Sequence, residues 1–302
     1  MLMPEGLIPG FYSPFTEDEK LDIDTLRERL ESVVPGSSGL HGPANHSEMC
    51  MLTFEEWKAW TDTMMEVAKP HGLQTWSFAG AESLMKTVPY IEYALKVGAD
   101  GIILHPPYKV DYSQDAAFEY FRKITEMYPD TPFLLYPNFN CPDAQSPYLA
   151  NRIAQLPNVV GLKMTRRYNI EQAGEIYSLT RNNPHFNIVT GSLINAYALR
   201  GFDLKASFSA QSNYKHDWAV KLWEAMQAKN WEQADYWYDK IALLHRALNH
   251  PGGYLHKYAG EKAAMAMLGK SVGGLRSPSL PATEAQKEII RKALVDAGLI
   301  EP

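Results

Sequence analysis

Only two cysteines, Cys50 and Cys141, stand in 302 residues, far apart and with no CxxC spacing. That excludes a disulfide framework and a CxxC-type zinc site, and it leads us to expect reduced thiols in the cytoplasm. No apolar run approaches the roughly 18 residues that cross a bilayer. The opening Met1-Leu2-Met3-Pro4-Glu5 also lacks the basic-then-apolar pattern of an export signal, so no membrane partner is expected. Lysines and arginines are scattered, and the formal net charge of -6 leaves no phosphate-tracking surface for nucleic acid. After the first apolar run, Pro9-Gly10-Phe11-Tyr12-Ser13-Pro14 offers no GxGxxG loop, which argues against an open dinucleotide-binding sheet.

What is present is alternation. Short apolar runs at Leu7–Tyr12, Ser38–His41, Leu73–Phe78, Gly101–His105, Pro132–Tyr136, Val159–Met164, Asn187–Thr190 and Leu204–Phe208 read as strands. Amphipathic stretches of helical period lie between them. Thr53 with Glu56 forms a capping box ahead of Phe54–Lys69, Ser146-Pro147 starts Tyr148–Leu156, and Asn169 caps Ile170–Arg181. Gly72, Gly98 and Gly201 stand where a left-handed helix end is wanted. Strand, helix, strand in repetition predicts an α/β fold of the (β/α)8 barrel type over residues 1–210.

After Ser209 the strand signals stop. Asp217–Ala228, Trp231–Leu248, Lys257–Leu268 and Thr283–Ala297 read as helices, a C-terminal extension over 211–302 that packs on the barrel within one structural unit. Trp218, Trp223, Trp231 and Trp237 read as packing residues, since no basic groove accompanies them to form a base-stacking platform.

Barrels place their chemistry at the C-terminal ends of strands. Val159-Val160-Gly161-Leu162-Lys163-Met164 sets one lysine inside an apolar run near the end of the sixth strand. Burial disfavours the ammonium form and makes an amine able to attack a carbonyl near neutral pH. A lysine whose stem packs while its head reaches water has the same signature. Tyr136, at the end of the fifth strand, brings a phenol to the same rim as a proton carrier, or as a core aromatic. Ala44-Asn45-His46-Ser47-Glu48, after the second strand, supplies small polar groups suited to a carboxylate, or an ordinary surface loop. His105 ends the fourth strand, where a structural imidazole is the commoner reading, and Tyr108 follows in a stiff Pro106-Pro107 setting.

At these residues the chain resembles the dihydrodipicolinate synthase/N-acetylneuraminate lyase family of Schiff-base barrel lyases. The resemblance rests on Ser13-Pro14-Phe15 with Asp18 and Leu21-Asp22, on Glu48 with Leu52-Thr53 and Glu55-Glu56, and on Pro107-Tyr108 with Ser113-Gln114. Leu135-Tyr136-Pro137 and Val160-Gly161-Leu162-Lys163 complete it, in the family's order. It implies that Lys163 forms an imine with a small 2-oxo acid such as pyruvate, that Tyr136 relays the proton, and that Tyr108 is the aromatic donated across a dimer interface. It further implies an aldehyde as second substrate, no metal or organic cofactor, and a homotetramer built as a dimer of dimers.

The departures are informative. Asn45, His46 and Ser47 replace the family's hydroxyl-bearing carboxylate loop, and Cys141 stands where dihydrodipicolinate synthases carry an arginine. Gly191-Ser192 is retained, whereas Leu204-Lys205-Ala206-Ser207 departs from the family's G-x-I-S, so Gly191 and Ser207 join Asn45, His46, Ser47 and Cys141 as candidate binding residues. Authentic lysine-biosynthetic activity is therefore not expected, and Phe139 and Tyr168 hint at a substrate less polar than a sugar acid. The alternatives are a 2-keto-3-deoxy-acid dehydratase using the same imine, an inactive ligand-binding barrel, and a metal-dependent aldolase built on His41, His46 and Glu48.

Overall fold

The computed structural model describes residues 1–108, 111–137, 146–165, 169–251 and 258–302. Eight parallel strands form a nearly closed barrel: β1 Gly6–Pro9, β2 Gly39–Gly42, β3 Gln74–Ala79, β4 Gly101–Leu104, β5 Phe133–Leu135, β6 Val159–Met164, β7 Asn187–Thr190 and β8 Ala206–Ser209. Neighbours run in the order β1-β8-β7-β6-β5-β4-β3-β2. The sheet returns on itself where the Gly6 amide donates to Lys205 O at 2.7 Å and the Ser38 amide to Leu7 O at 2.9 Å. The helices are α1 Ile23–Glu31, α2 Phe54–Ala68, α3 Leu84–Lys96, α4 Gln114–Met127, α5 Pro147–Ile153, α6 Ile170–Thr180, α7 Leu193–Ala198, α8 Ser212–Gln227, α9 Trp231–Asn249, α10 Ala259–Met267 and α11 Glu284–Asp296. No helix among the described residues is long and apolar enough to cross a membrane.

The chain divides into two compact units. The first comprises Met1–Ile8, Ser38–Gly42 and Ala68–Phe208. Its strands are buried almost throughout, with Ile102, Ile103, Leu104, Phe133, Leu134, Leu135 and Leu162 fully enclosed. Continuous apolar runs of this kind mark a parallel sheet covered on both faces. Around them α4 packs beside α5, and α5 beside α6. The expected caps are present: Ser146 Oγ accepts from the Leu149 amide at 3.1 Å, and Asn169 Oδ1 from the Gln172 amide at 2.7 Å.

The second unit comprises Pro9–Ser37, Pro43–Val67 and Ser209–Pro302. There α8 packs on α9, and α10 and α11 on α9. Trp218 and Trp223 are buried, and the Trp218 and Trp237 rings meet at 6.3 Å, a packing role, while Trp231 is partly exposed. Thr53 and Glu56 close their capping box reciprocally, at 2.9 and 3.2 Å.

Several boundaries differ from expectation. The first strand ends at Pro9, and Phe11 and Tyr12 are buried outside the ladder. Apolar residues in a buried loop cannot be told from a strand by hydrophobicity alone. Gly72 and Gly98 adopt left-handed φ of 65° and 84°, but Gly201 does not, because α7 ends earlier, at Ala198, on Leu199. Helix α8 begins at Ser212 rather than Asp217, with a break at Lys215 (φ -151°, ψ 77°).

Candidate active site

Lys163 lies on β6 between Leu162 and Met164, paired across the ladder with Val189 of β7. It is 5% exposed. Its Nζ faces three rings: Tyr136 at 4.4 Å, Phe78 of β3 at 4.8 Å and Phe208 of β8 at 4.9 Å. Ring faces attract a cation, by about 2 kcal/mol when desolvated, so the belt holds the Lys163 head group at a fixed place among the three rings.

Two imidazoles extend the belt. His41 of β2 meets Phe208 edge-on at 4.3 Å and Phe78 at 6.0 Å. His105, just past β4, meets Tyr136 at 4.8 Å and Phe78 at 5.9 Å. The backbone explains the register: Tyr136 N donates to Leu104 O and His105 N to Ala79 O, both at 2.9 Å, which carries the ladder one step past the strands. Rings from β3, β8 and the residue after β5 thus surround one amine, and His41 of β2 and His105 pack against those rings.

Of the sequence-derived candidates among the described residues, Lys163, Tyr136, Tyr108, Gly191 and Ser207 fall in the first unit. Gly191 approaches Lys163 so closely that a Cβ there would sit 3.3 Å from Lys163 Cε and 2.8 Å from Thr165 Cγ2. Ser207 Oγ is buried and shares a hydrogen bond of 2.8 Å with Thr190 Oγ1. Tyr108 is half-buried beyond β4, where Tyr112 OH donates to Pro107 O at 2.8 Å. Cys141, Phe139 and Tyr168 lie outside the described residues. Phe78 and Phe208 were missed by sequence reasoning, although their place in predicted strands was the available signal: interior positions alternate along a strand, and an interior ring beside a lysine is a partner for it.

Asn45, His46 and Ser47 belong to the second unit, in a 3-10 turn after Ala44. Ser47 is fully buried; its Oγ donates to Phe11 O at 2.5 Å and accepts from the Ala44 amide at 3.0 Å, while Ser13 Oγ donates to Ser47 O. His46 packs edge-on against Tyr12 at 6.0 Å. Burial, followed by Glu261, Tyr214, Tyr258 and Glu48, pushes the Tyr12 phenol well above its ordinary value, so it stays protonated. The next residue, Glu48, forms a buried ion pair of 2.6 Å with Lys262. Burial lowers the Lys262 ammonium, and Glu48 opposes that shift. Among the described residues, no group of three or more His, Cys, Asp and Glu side chains gathers as a metal-ligand set.

An eight-stranded parallel barrel with a ring-caged lysine on its sixth strand defines the class: a (β/α)8 protein with an enclosed amine at the C-terminal end of a strand. The chain belongs to the dihydrodipicolinate synthetase family, whose model matches residues 3–297. It is 27% identical to the 4-hydroxy-tetrahydrodipicolinate synthase of Methanoculleus marisnigri, covering 98% of this chain and 100% of that one. It is 25% identical to an uncharacterized DapA-like lyase of Thermococcus onnurineus, covering 96% and 98%. Among solved structures, the chloride-inhibited dihydrodipicolinate synthase of Acinetobacter baumannii complexed with pyruvate superimposes with a TM-score of 0.88 at 23% identity, over 98% and 99% of the two chains.

Proposed function

We propose that the protein is a Schiff-base lyase of the class I aldolase type that makes or breaks a carbon–carbon bond of a small 2-oxo acid such as pyruvate. The observation that carries this reading is Lys163: an amine only 5% exposed, set near the C-terminal end of a barrel strand and faced by three rings. Lys163 Nζ attacks C2 of the acid, and the carbinolamine loses water to give a protonated imine. The imine accepts the electron pair of the C3–C4 bond as Tyr136 takes the proton of the C4 hydroxyl, releasing an aldehyde. The enamine is protonated at C3, and water returns the 2-oxo acid and free lysine. The reverse sequence is an aldol addition.

Neither a metal nor an organic cofactor takes part in this scheme. Asn45 and His46 take the carboxylate-binding role in place of the family's hydroxyl pair, while Ser47, whose hydroxyl donates to Phe11 O and whose amide donates to Ala44 O, holds the turn rather than the acid. Gly191 and Ser207 line the acid, and Tyr108 reaches a neighbouring protomer in a cytoplasmic homotetramer. Cys141 replaces an anchoring arginine, so the aldehyde is uncharged rather than the semialdehyde of lysine biosynthesis. The test is proton exchange at C3 of pyruvate in deuterium oxide, followed by NMR. The wild type exchanges and Lys163→Ala does not; equal exchange in both overturns the reading. A panel of aldehydes and 2-keto-3-deoxy acids then separates aldol cleavage from dehydration.

A further inference from the structure

Glu48 follows the Asn45–Ser47 turn with a left-handed backbone, φ 54° and ψ 36°. A residue with a branched-off Cβ resists that conformation by about 1 kcal/mol, so something must hold it there. Its carboxylate, 5% exposed, meets the Lys262 ammonium, 3% exposed, at 2.6 Å. Burying two charges is costly, and their attraction offsets the desolvation only where geometry is fixed and the remaining protons are satisfied. Lys262 meets that condition: Nζ also donates to Ser13 O at 2.9 Å and to Gly274 O at 2.8 Å, and stands 4.7 Å from the Phe15 ring.

Ser13 in turn is the residue whose Oγ donates to Ser47 O, and Ser47 Oγ ties the turn to Phe11. One ammonium on α10 therefore holds the C-terminal end of the turn twice: at Glu48 through charge, and at Ser47 through Ser13, whose carbonyl it binds and whose hydroxyl donates to Ser47 O. Asn45 and His46 sit between these anchors and the Ala44 amide.

We propose that Lys262 is a positioning residue that, through Glu48 and Ser13, fixes the Asn45–Ser47 turn and thereby sets affinity for the substrate's carboxylate. This rests on the proposed carboxylate role of Asn45 and His46. Removing the ammonium frees the turn without touching the imine chemistry, so the loss falls on binding rather than turnover.

The test is the pyruvate C3 exchange assay on the full-length protein with Lys262→Met, Glu48→Gln and the double variant, alongside Asn45→Ala and His46→Ala. Lys262→Met and Glu48→Gln are expected to raise KM for pyruvate about tenfold while kcat stays within about threefold. The uncharged double variant regains thermal stability over Lys262→Met, because no lone buried charge remains, yet keeps the raised KM. An unchanged KM, or KM and kcat falling only with the folded fraction, overturns the proposal; should Lys262→Met fail to fold, the near-isosteric Glu48→Gln decides. If Asn45→Ala and His46→Ala leave KM unaltered, it is the carboxylate reading that fails. If they raise it and the Lys262 and Glu48 variants do not, the reading stands and the positioning role falls.

Discussion

Gly161→Ala places one methyl group where the barrel wall has no room. Gly161 lies on β6 two positions before Lys163 and pairs with Asn187 of β7. A Cβ there would stand 2.3 Å from the Asn187 carbonyl oxygen and 3.1 Å from Leu134 Cδ1. Carbon and carbonyl oxygen settle no closer than about 3.3 Å, so β6 and β7 must part by about 1 Å. The obstructing atom is backbone and cannot swing away as a flexible side chain would. Overpacking of this kind costs about 1–3 kcal/mol, and weakening a ladder hydrogen bond puts the loss near the upper figure. The same displacement moves Lys163 within its ring belt, and misplacement by about 1 Å slows a positioned reaction about 100-fold. Urea unfolding followed by circular dichroism reads the first effect, and C3 exchange of pyruvate the second. Gly174→Ala is the control: it lies inside α6 with nothing within 4 Å of the added Cβ. There the substitution should stabilise by about 0.5–1 kcal/mol through helix propensity. The reasoning is refuted if Gly161→Ala unfolds within about 0.5 kcal/mol of the wild type and exchanges at the same rate.

Tyr136→Phe keeps the ring beside Lys163 but removes the hydroxyl, so turnover should drop about 100-fold or more while reduction of the pyruvate imine still labels the protein; unaltered turnover removes Tyr136 from proton transfer. Glu56 is held at a pKa of about 2, below its ordinary 4.5, by hydrogen bonds from Arg276, at 2.7 and 2.8 Å, with the Thr53 amide assisting. Its folded value is depressed, so the stabilisation is complete above the unfolded value and is lost as pH falls from about 4.5 towards 2. For this partly exposed pair it amounts to about 1 kcal/mol after screening; Glu56→Gln should flatten that part of the acid unfolding curve, and a superimposable curve would contradict the sign. Prolonged dialysis against EDTA should leave activity intact, and loss restored by a divalent cation would bring a metal-dependent aldolase forward.

The barrel was legible because its strands are apolar on both faces and recur between capped helices. Val159–Met164 and Asn187–Thr190 fell within their expected bounds. Helix α1 was not placed, since only Leu26 and Leu30 of its nine residues are buried, too thin a stripe to stand out. Pro89 inside α3 similarly reads as a breaker, although the structure carries the helix through it. At the site, Lys163 and Tyr136 could be singled out because polar groups at strand ends violate the apolar pattern. Phe78 and Phe208 obey that pattern, so only their interior register on β3 and β8, and not their residue type, marks them as the walls of the amine's enclosure. Lys262 was hidden for the opposite reason: a lysine on a helix reads as solvent-facing, and only long-range packing reveals that it is buried against Glu48.

The central claim is tested most directly by borohydride reduction of the protein in the presence of pyruvate, with peptide mass mapping of the product. The account predicts one stable adduct, on Lys163, that disappears in Lys163→Ala. A reduced adduct on another lysine, or none with pyruvate or any other 2-oxo acid, would contradict it.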